Sequence, residues 1–569
     1  MGKILFLAFI TCLFIKINIA QSVNSIDSVK FICNELLGRP TNSSITINMC
    51  ADNNLDVYVE YGTQSSIYTG KTTTISCLNS VPFNLLLNNL LSGITYYYRV
   101  MYRITGTQVF LARDEHSFKT AKPKGTTFTF AVEADPHLDY NTNLDLYKLT
   151  LSNIANNNPD ILIDLGDTFM SDKLQSPTQD SITYRHLLLR SYYDLICHSI
   201  PLFLVLGNHE GEQGWLLNST ANNLAVMASN TRTKYYINPV PDNFYSGDSK
   251  SEDFVGLREN YYSWEWGNAL FVVLDPYWYT KIKPGNTVDN WSWTLGEDQY
   301  EWFKNVLESS SAKFKFVFCH QLIGGHNSDG RGGAESVPFY EMGGLNADST
   351  WGFTINRPGW ELPIHQLMVQ NHVSIFFHGH DHLFDEQELD GIIYQEVPQP
   401  GNPNFQNTGA SLSYGYVSGK IIPCSGFLKV IVSDSSTNVA YVRSYLPVME
   451  NQDRTNGHID YSYTINSNTV AAVEKAAEFP LNFSLMQNYP NPFNPSTIIK
   501  YEIPVPCTVQ LIVYDILGRE LVTLLNQYTQ KGTYNVLFNA QKYSLAGGIY
   551  FYRISADNYT KCMKMIYLK

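Results

Sequence analysis

The chain has 569 residues, 44% apolar and 16% charged, with 37 Gly and 25 Pro; this excludes a disordered, collagenous or coiled-coil protein and leaves room for three or four domains. Its formal charge of −13 excludes a polybasic face for nucleic acid. With 38 Tyr, 30 Phe and 9 Trp, it is rich in residues that suit half-buried strands.

In chain order, residues 1–20 read as a signal peptide. Lys3 precedes an apolar run from Ile4 to Ile15, and Ala20-Gln21 is the expected cleavage point. The run is shorter than the roughly 20 apolar residues a membrane span needs, and no other candidate transmembrane segment is found. Loss of Lys3 and Lys16 takes the mature chain from −13 to −15. Of the nine cysteines, Cys33, Cys50 and Cys77 cluster near the new N-terminus. An oxidising compartment permits one disulfide among them, and spacing does not choose the pair.

Residues 29–121 alternate as strands, most clearly at Tyr96, Tyr98 and Val100, up to a Lys-Pro-Lys-Gly linker at 122–125. From 126 to 448, apolar strand runs at 127–134, 160–165, 201–206, 270–274, 314–319 and 373–377 alternate with helical patterns at 143–156, 180–196, 296–309 and 360–371. Residues 391–446 return to strands, as a mixed second sheet. Residues 449–482 read as a polar linker, and 483–569 as a small β-domain.

Polar residues follow the apolar strands directly: Asp135-Pro-His137, Gly166-Asp167, Gly207-Asn208-His209-Glu210, His320, and His378-Gly379-His380-Asp381-His382. Loops beyond the carboxyl ends of strands form the ligand crevice of an open α/β sheet. Carboxylate, amide and imidazole ligands gathered there suit zinc, manganese or iron, and two such ions close together need a bridging carboxylate. His378 and Asp164 read as structural, and Asp139 and Asp172 as solvated. The stretch 211–268, with Trp215, Tyr235, Tyr236, Trp264 and Trp266, either shapes specificity or packs.

These motifs resemble the calcineurin-like metallophosphoesterase superfamily. The β-domain before them resembles the N-terminal domain of purple acid phosphatases, and LLSGITYYYRV resembles the tyrosine corner of a fibronectin type III-like sandwich. The resemblance implies an α/β (α+β) fold: a four-layer metallophosphoesterase core with mixed β-sheets, flanked by N- and C-terminal β-sandwiches. It implies two divalent ions (Mn, Zn or Fe), one held by Asp135, His137, Asp167 and His382, the other by Asn208, His320 and His380, with Asp167 bridging. His209 would protonate the leaving oxygen, and metal-bound hydroxide would attack phosphorus. Purple acid phosphatases carry a Tyr three residues after the bridging Asp; here that position is Met170, which argues against the purple ferric centre. His326 and Arg331, in a Gly-rich loop, are possible substrate-binding residues.

The tail resembles a type IX secretion sorting domain through QNYPNPFNPSTIIKYEIP at 487–504, VYDILGREL at 513–521 and GGIYFYRI at 547–554. It implies handling by the type IX secretion machinery and a secreted or cell-surface location. The expected activity is phosphomonoester hydrolysis on a small phosphorylated substrate. The alternatives are a phosphodiesterase or nucleotidase on the same core, and a cell-surface binding protein with a non-catalytic scaffold.

Overall fold

A computed structural model of the chain describes residues 29–139, 141–285, 289–326, 329–467, 483–488, 490–529 and 532–569. The expected signal peptide lies outside the described residues. The chain divides into two compact units, 1–469 and 470–569.

The first unit opens with a sandwich. One sheet holds Phe31–Gly38, Ile45–Ala51 and Phe83–Leu87; the other is built around Leu55–Gly62, Thr95–Ile104 and His116–Lys119. Period-two alternation puts Ile45, Ile47, Val57, Val59, Leu85 and Val100 in the space between the sheets. The backbone N–H of Leu91 donates to the Tyr96 hydroxyl oxygen at 2.9 Å, tying the preceding loop to the sheet. The opposite face of the first sheet turns Cys33, Leu36 and Cys50 toward the helices of the α/β core that follows. There the buried Arg190 donates to Asn48 Oδ1 at 2.9 Å and to the carbonyls of Asn34 and Asn48 at 2.7 Å each.

The core has two sheets packed face to face. In the first, Phe128–Glu133, Ile161–Asp164 and Leu202–Leu204 run parallel, and Gly426–Val432 joins antiparallel with Phe128 opposite Val432. In the second, Ala269–Val273, Phe314–Phe318, Ile375–His378 and Ile392–Glu396 run parallel. Phe130, Phe271, Phe316, Phe318 and Phe377 fill the space between, with Phe318 and Phe377 stacked at 4.9 Å. Each such burial contributes about 1.5–3 kcal/mol. Helices Leu144–Asn156 and Gln179–Tyr193 cover the outside of the first sheet. Glu297–Ser309 and Ile364–Gln370 cover the second, completing four layers. The loops that follow Phe128–Glu133, Ile161–Asp164, Leu202–Leu204, Phe314–Phe318 and Ile375–His378 converge.

The expected linker at 449–482 is corrected at its start. Ile459–Asn466 is a strand paired antiparallel with Ser436–Arg443, at the edge of the first sheet. It reads as polar because an edge strand is covered on one side only; Tyr461, Tyr463 and Ile465 pack on the core, and the intervening residues face solvent. The insertion 211–268 packs: Trp264 and Trp266 lie in the inter-sheet core, and Tyr235 and Tyr236 lie against the helices.

The second unit is itself two-sheeted. Ser484–Leu485, Ser496–Ile503 and Gly532–Asn539 form one sheet; Glu520–Thr529, Cys507–Tyr514, Gly548–Ala556 and Tyr559–Tyr567 form the other. Ile499, Leu511, Phe538 and Tyr552 fill its core.

Candidate metal centre

The converging loops are held in conformations that ordinary side chains rarely adopt. Asp135, His137, Asp167, His380 and His382 have φ between 55° and 80°. Non-glycine residues in this left-handed region cost on the order of 1 kcal/mol or more each, so the surrounding structure imposes them. Two glycines make the close approach possible. A Cβ on Gly207 would sit 2.2 Å from the Asp167 nitrogen, and one on Gly379 would sit 2.7 Å from Asp135 Oδ2.

Seven sequence-predicted residues come together here. Asp135, His137 and His382 form one group able to hold a cation, and Asp167, His320 and His380 form another. Asp167 Oδ2 lies 3.4 Å from His137 Nε2 and 3.3 Å from His320 Nε2, between the two groups. Asn208 Oδ1 lies 3.1 Å from His320 Nε2. Asp135 Oδ1 is 3.4 Å from His382 Nε2.

Whether these residues suit cations is tested by what their atoms lack. Asp135 Oδ1, His137 Nε2 and Asp167 Oδ2 are buried with no hydrogen-bond partner. A buried carboxylate oxygen left unpaired is costly unless a cation pairs with it. The imidazoles are also oriented for ligation. Carbonyl oxygens only accept, so His320 Nδ1 donates to Leu165 O at 2.9 Å and its Nε2 lone pair faces the site. His380 Nε2 donates to Asp329 O at 2.9 Å, which leaves its Nδ1 lone pair free. Such outer partners fix a metal-binding imidazole's tautomer and aim. The residues present therefore fit a pair of cations.

Electrostatics agree. Burial works against charge on Asp167, yet His209 and His320 hold its pKa well below the ordinary carboxylate range. Burial also works against charge on His320, but Asp167 and Asp135 push its pKa up to about 9.

Several partners were not legible beforehand. Asp139 is not merely solvated: its Oδ2 is 3.3 Å from His137 Nδ1. Asp172 likewise meets His209 Nδ1 at 2.9 Å, while His209 Nε2 points to Asp167 Oδ2 at 3.8 Å. The available signal was a carboxylate close in sequence to a strand-end ligand. Glu210 accepts from the backbone N–H of Gly207 at 2.5 Å and of Thr168 at 2.6 Å, pinning two site loops together. Arg185 bridges two loops, donating to Phe169 O at 2.8 Å and His137 O at 3.3 Å.

His378 meets Glu396 at 2.6 Å, and Asp164 accepts from Gly166 N and Thr168 Oγ1, both in structural roles. Arg331 donates to the His380 carbonyl at 2.6 Å and to Asp381 Oδ1 at 2.9 Å, beneath the Tyr414 ring. Arg331 Nη1 thus latches the Gly-rich loop onto the His380–His382 loop. His326 is exposed, and its backbone N–H donates to Arg331 O at 2.6 Å. Met170, at the position a purple acid phosphatase gives to Tyr, is buried.

No curated protein matches the chain. Among solved structures, a purple acid phosphatase from yellow lupin seeds is 16% identical, with a TM-score of 0.52 over 76% of this chain and 74% of that one. PhoD is 15% identical, with a TM-score of 0.56 over 77% of this chain and 90% of that one. At such identities the likeness is one of fold. The calcineurin-like phosphoesterase model matches residues 128–384, and the secretion system C-terminal sorting domain model matches 487–568. The chain therefore carries a calcineurin-like phosphoesterase domain followed by a secretion system C-terminal sorting domain.

Proposed function

We propose that the protein is an exported phosphomonoester hydrolase working with two divalent cations. The observation that carries this is the unpaired Asp167 Oδ2, buried between His137 and His320. Asp135, His137, Asp167 and His382 would hold one cation and Asn208, His320 and His380 the other, with Asp167 shared. When bound, such a pair supplies Lewis acidity and lowers the pKa of water. His209 delivers a proton from Nε2 to the departing oxygen, and Asp172 holds Nδ1 so that the ring faces the site. Cations held there would give the acidic chain its attraction for phosphate. Preference for monoesters is supported by the phosphatase fold, and export by the sorting domain.

The test compares hydrolysis of an aryl phosphomonoester and its diester by the mature protein, with Mn²⁺ or Zn²⁺ and with a chelator. Chelator-sensitive turnover favouring the monoester is expected. Preference for the diester would replace the substrate class, and metal-independent turnover would remove the cations from the mechanism.

A further inference from the structure

Three cysteines near the N-terminus leave three possible pairings in sequence; their places in the fold distinguish them. Cys33 and Cys50 stand directly opposite each other on the antiparallel strands Phe31–Gly38 and Ile45–Ala51. Both are buried on the face turned toward the catalytic core. Cys77 belongs to the other sheet, opposite Leu55, and to the sandwich interior. Directly opposed residues in an antiparallel pair have Cα atoms about 4.5–5.5 Å apart. A disulfide accepts Cα separations of about 4.4–6.8 Å. Register shifts on both sides of Cys33 relax the ladder at that point.

We propose that Cys33 and Cys50 are a disulfide-forming site that staples the docking face of the sandwich. The two thiols lose two protons and two electrons as the S–S bond forms. The electrons reduce a disulfide oxidant, an envelope thiol–disulfide oxidoreductase or oxidised glutathione, to its dithiol or to two thiols. The bond closes the end of the strand pair opposite its turn. Asn34 and Asn48, which hold Arg190 of helix Gln179–Tyr193, lie on those strands. The same helix carries Arg185, which bridges two loops of the metal centre. The staple thus stiffens the support behind the site without contributing to its chemistry.

The mature full-length protein is equilibrated in a glutathione redox buffer, denatured, alkylated and mapped by mass spectrometry. The expected result is a Cys33–Cys50 linked peptide, with Cys77, Cys197, Cys319, Cys424, Cys507 and Cys562 alkylated. Reduction should lower the melting temperature by about 3 °C, as expected for a ring of this size in a unit this large. Cys50→Ser should show the lower value with no response to reductant. Free alkylation of both Cys33 and Cys50, or linkage of either to another cysteine, would overturn the proposal.

Discussion

Asp172 Oδ2 accepts from His209 Nδ1 at 2.9 Å, and this contact turns the opposite ring nitrogen toward Asp167. A general acid works through aim as well as acidity, so a neighbouring carboxylate that fixes the ring acts on turnover from a distance. Asp172→Asn should lower kcat roughly ten- to hundredfold with metal content unchanged. The loss should be larger for alkyl esters, whose leaving oxygen needs the proton, than for nitrophenyl esters. Equal losses on both substrates would remove the pair from leaving-group protonation.

Asp139 holds His137 in the same way, through Nδ1 at 3.3 Å. Asp139→Ala should weaken metal binding about 10–100-fold, read by competition with a chromophoric chelator. Turnover should recover at saturating metal.

Asp167 lies between the two groups, its Oδ2 3.4 Å from His137 Nε2 and 3.3 Å from His320 Nε2. Asp167→Asn should abolish turnover and reduce bound metal while circular dichroism stays that of the folded protein. Unchanged turnover in that variant would separate this centre from the activity.

Metal loading should be tied to pH. In the metal-free protein the His320 pKa lies at about 9, above the ordinary value of about 6.5. The imidazolium therefore stabilises the metal-free fold fully below about 6.5, and this is lost as pH rises through about 9. Cations compete with that proton. Affinity should rise with pH across this window, and loading near pH 7.5 should release protons, measured by calorimetry in buffers of different ionisation enthalpy.

The interface between sandwich and core should respond to acid. His116 and His198 stack with ring centroids 4.0 Å apart. Burial and the His198 charge lower the His116 pKa to about 4, with Arg113 acting in the same direction and Glu35 and Asp114 opposing. A depressed histidine contributes stability above about pH 6.5 that is lost as pH falls through about 4. Thermal melts over that range should steepen for the wild type and flatten for His116→Gln.

The candidate ligands were legible in sequence because they follow their strands directly, where continuous apolar runs give way to Gly, Asp, Asn and His. The same local coding made the four-layer core and the second β-unit readable. Asp139, Asp172 and the fork of Arg331 were not readable. Their partners are chosen by loop backbones whose positive φ values arise only once several loops crowd one sheet edge. Ile459–Asn466 was read as linker because its stabilising contacts lie across the sheet at Ser436–Arg443 and on the core. Local order along the chain thus determined which groups reach the crevice. Packing between strands far apart in sequence decided which carboxylate aims which imidazole, and which cysteine faces Cys33.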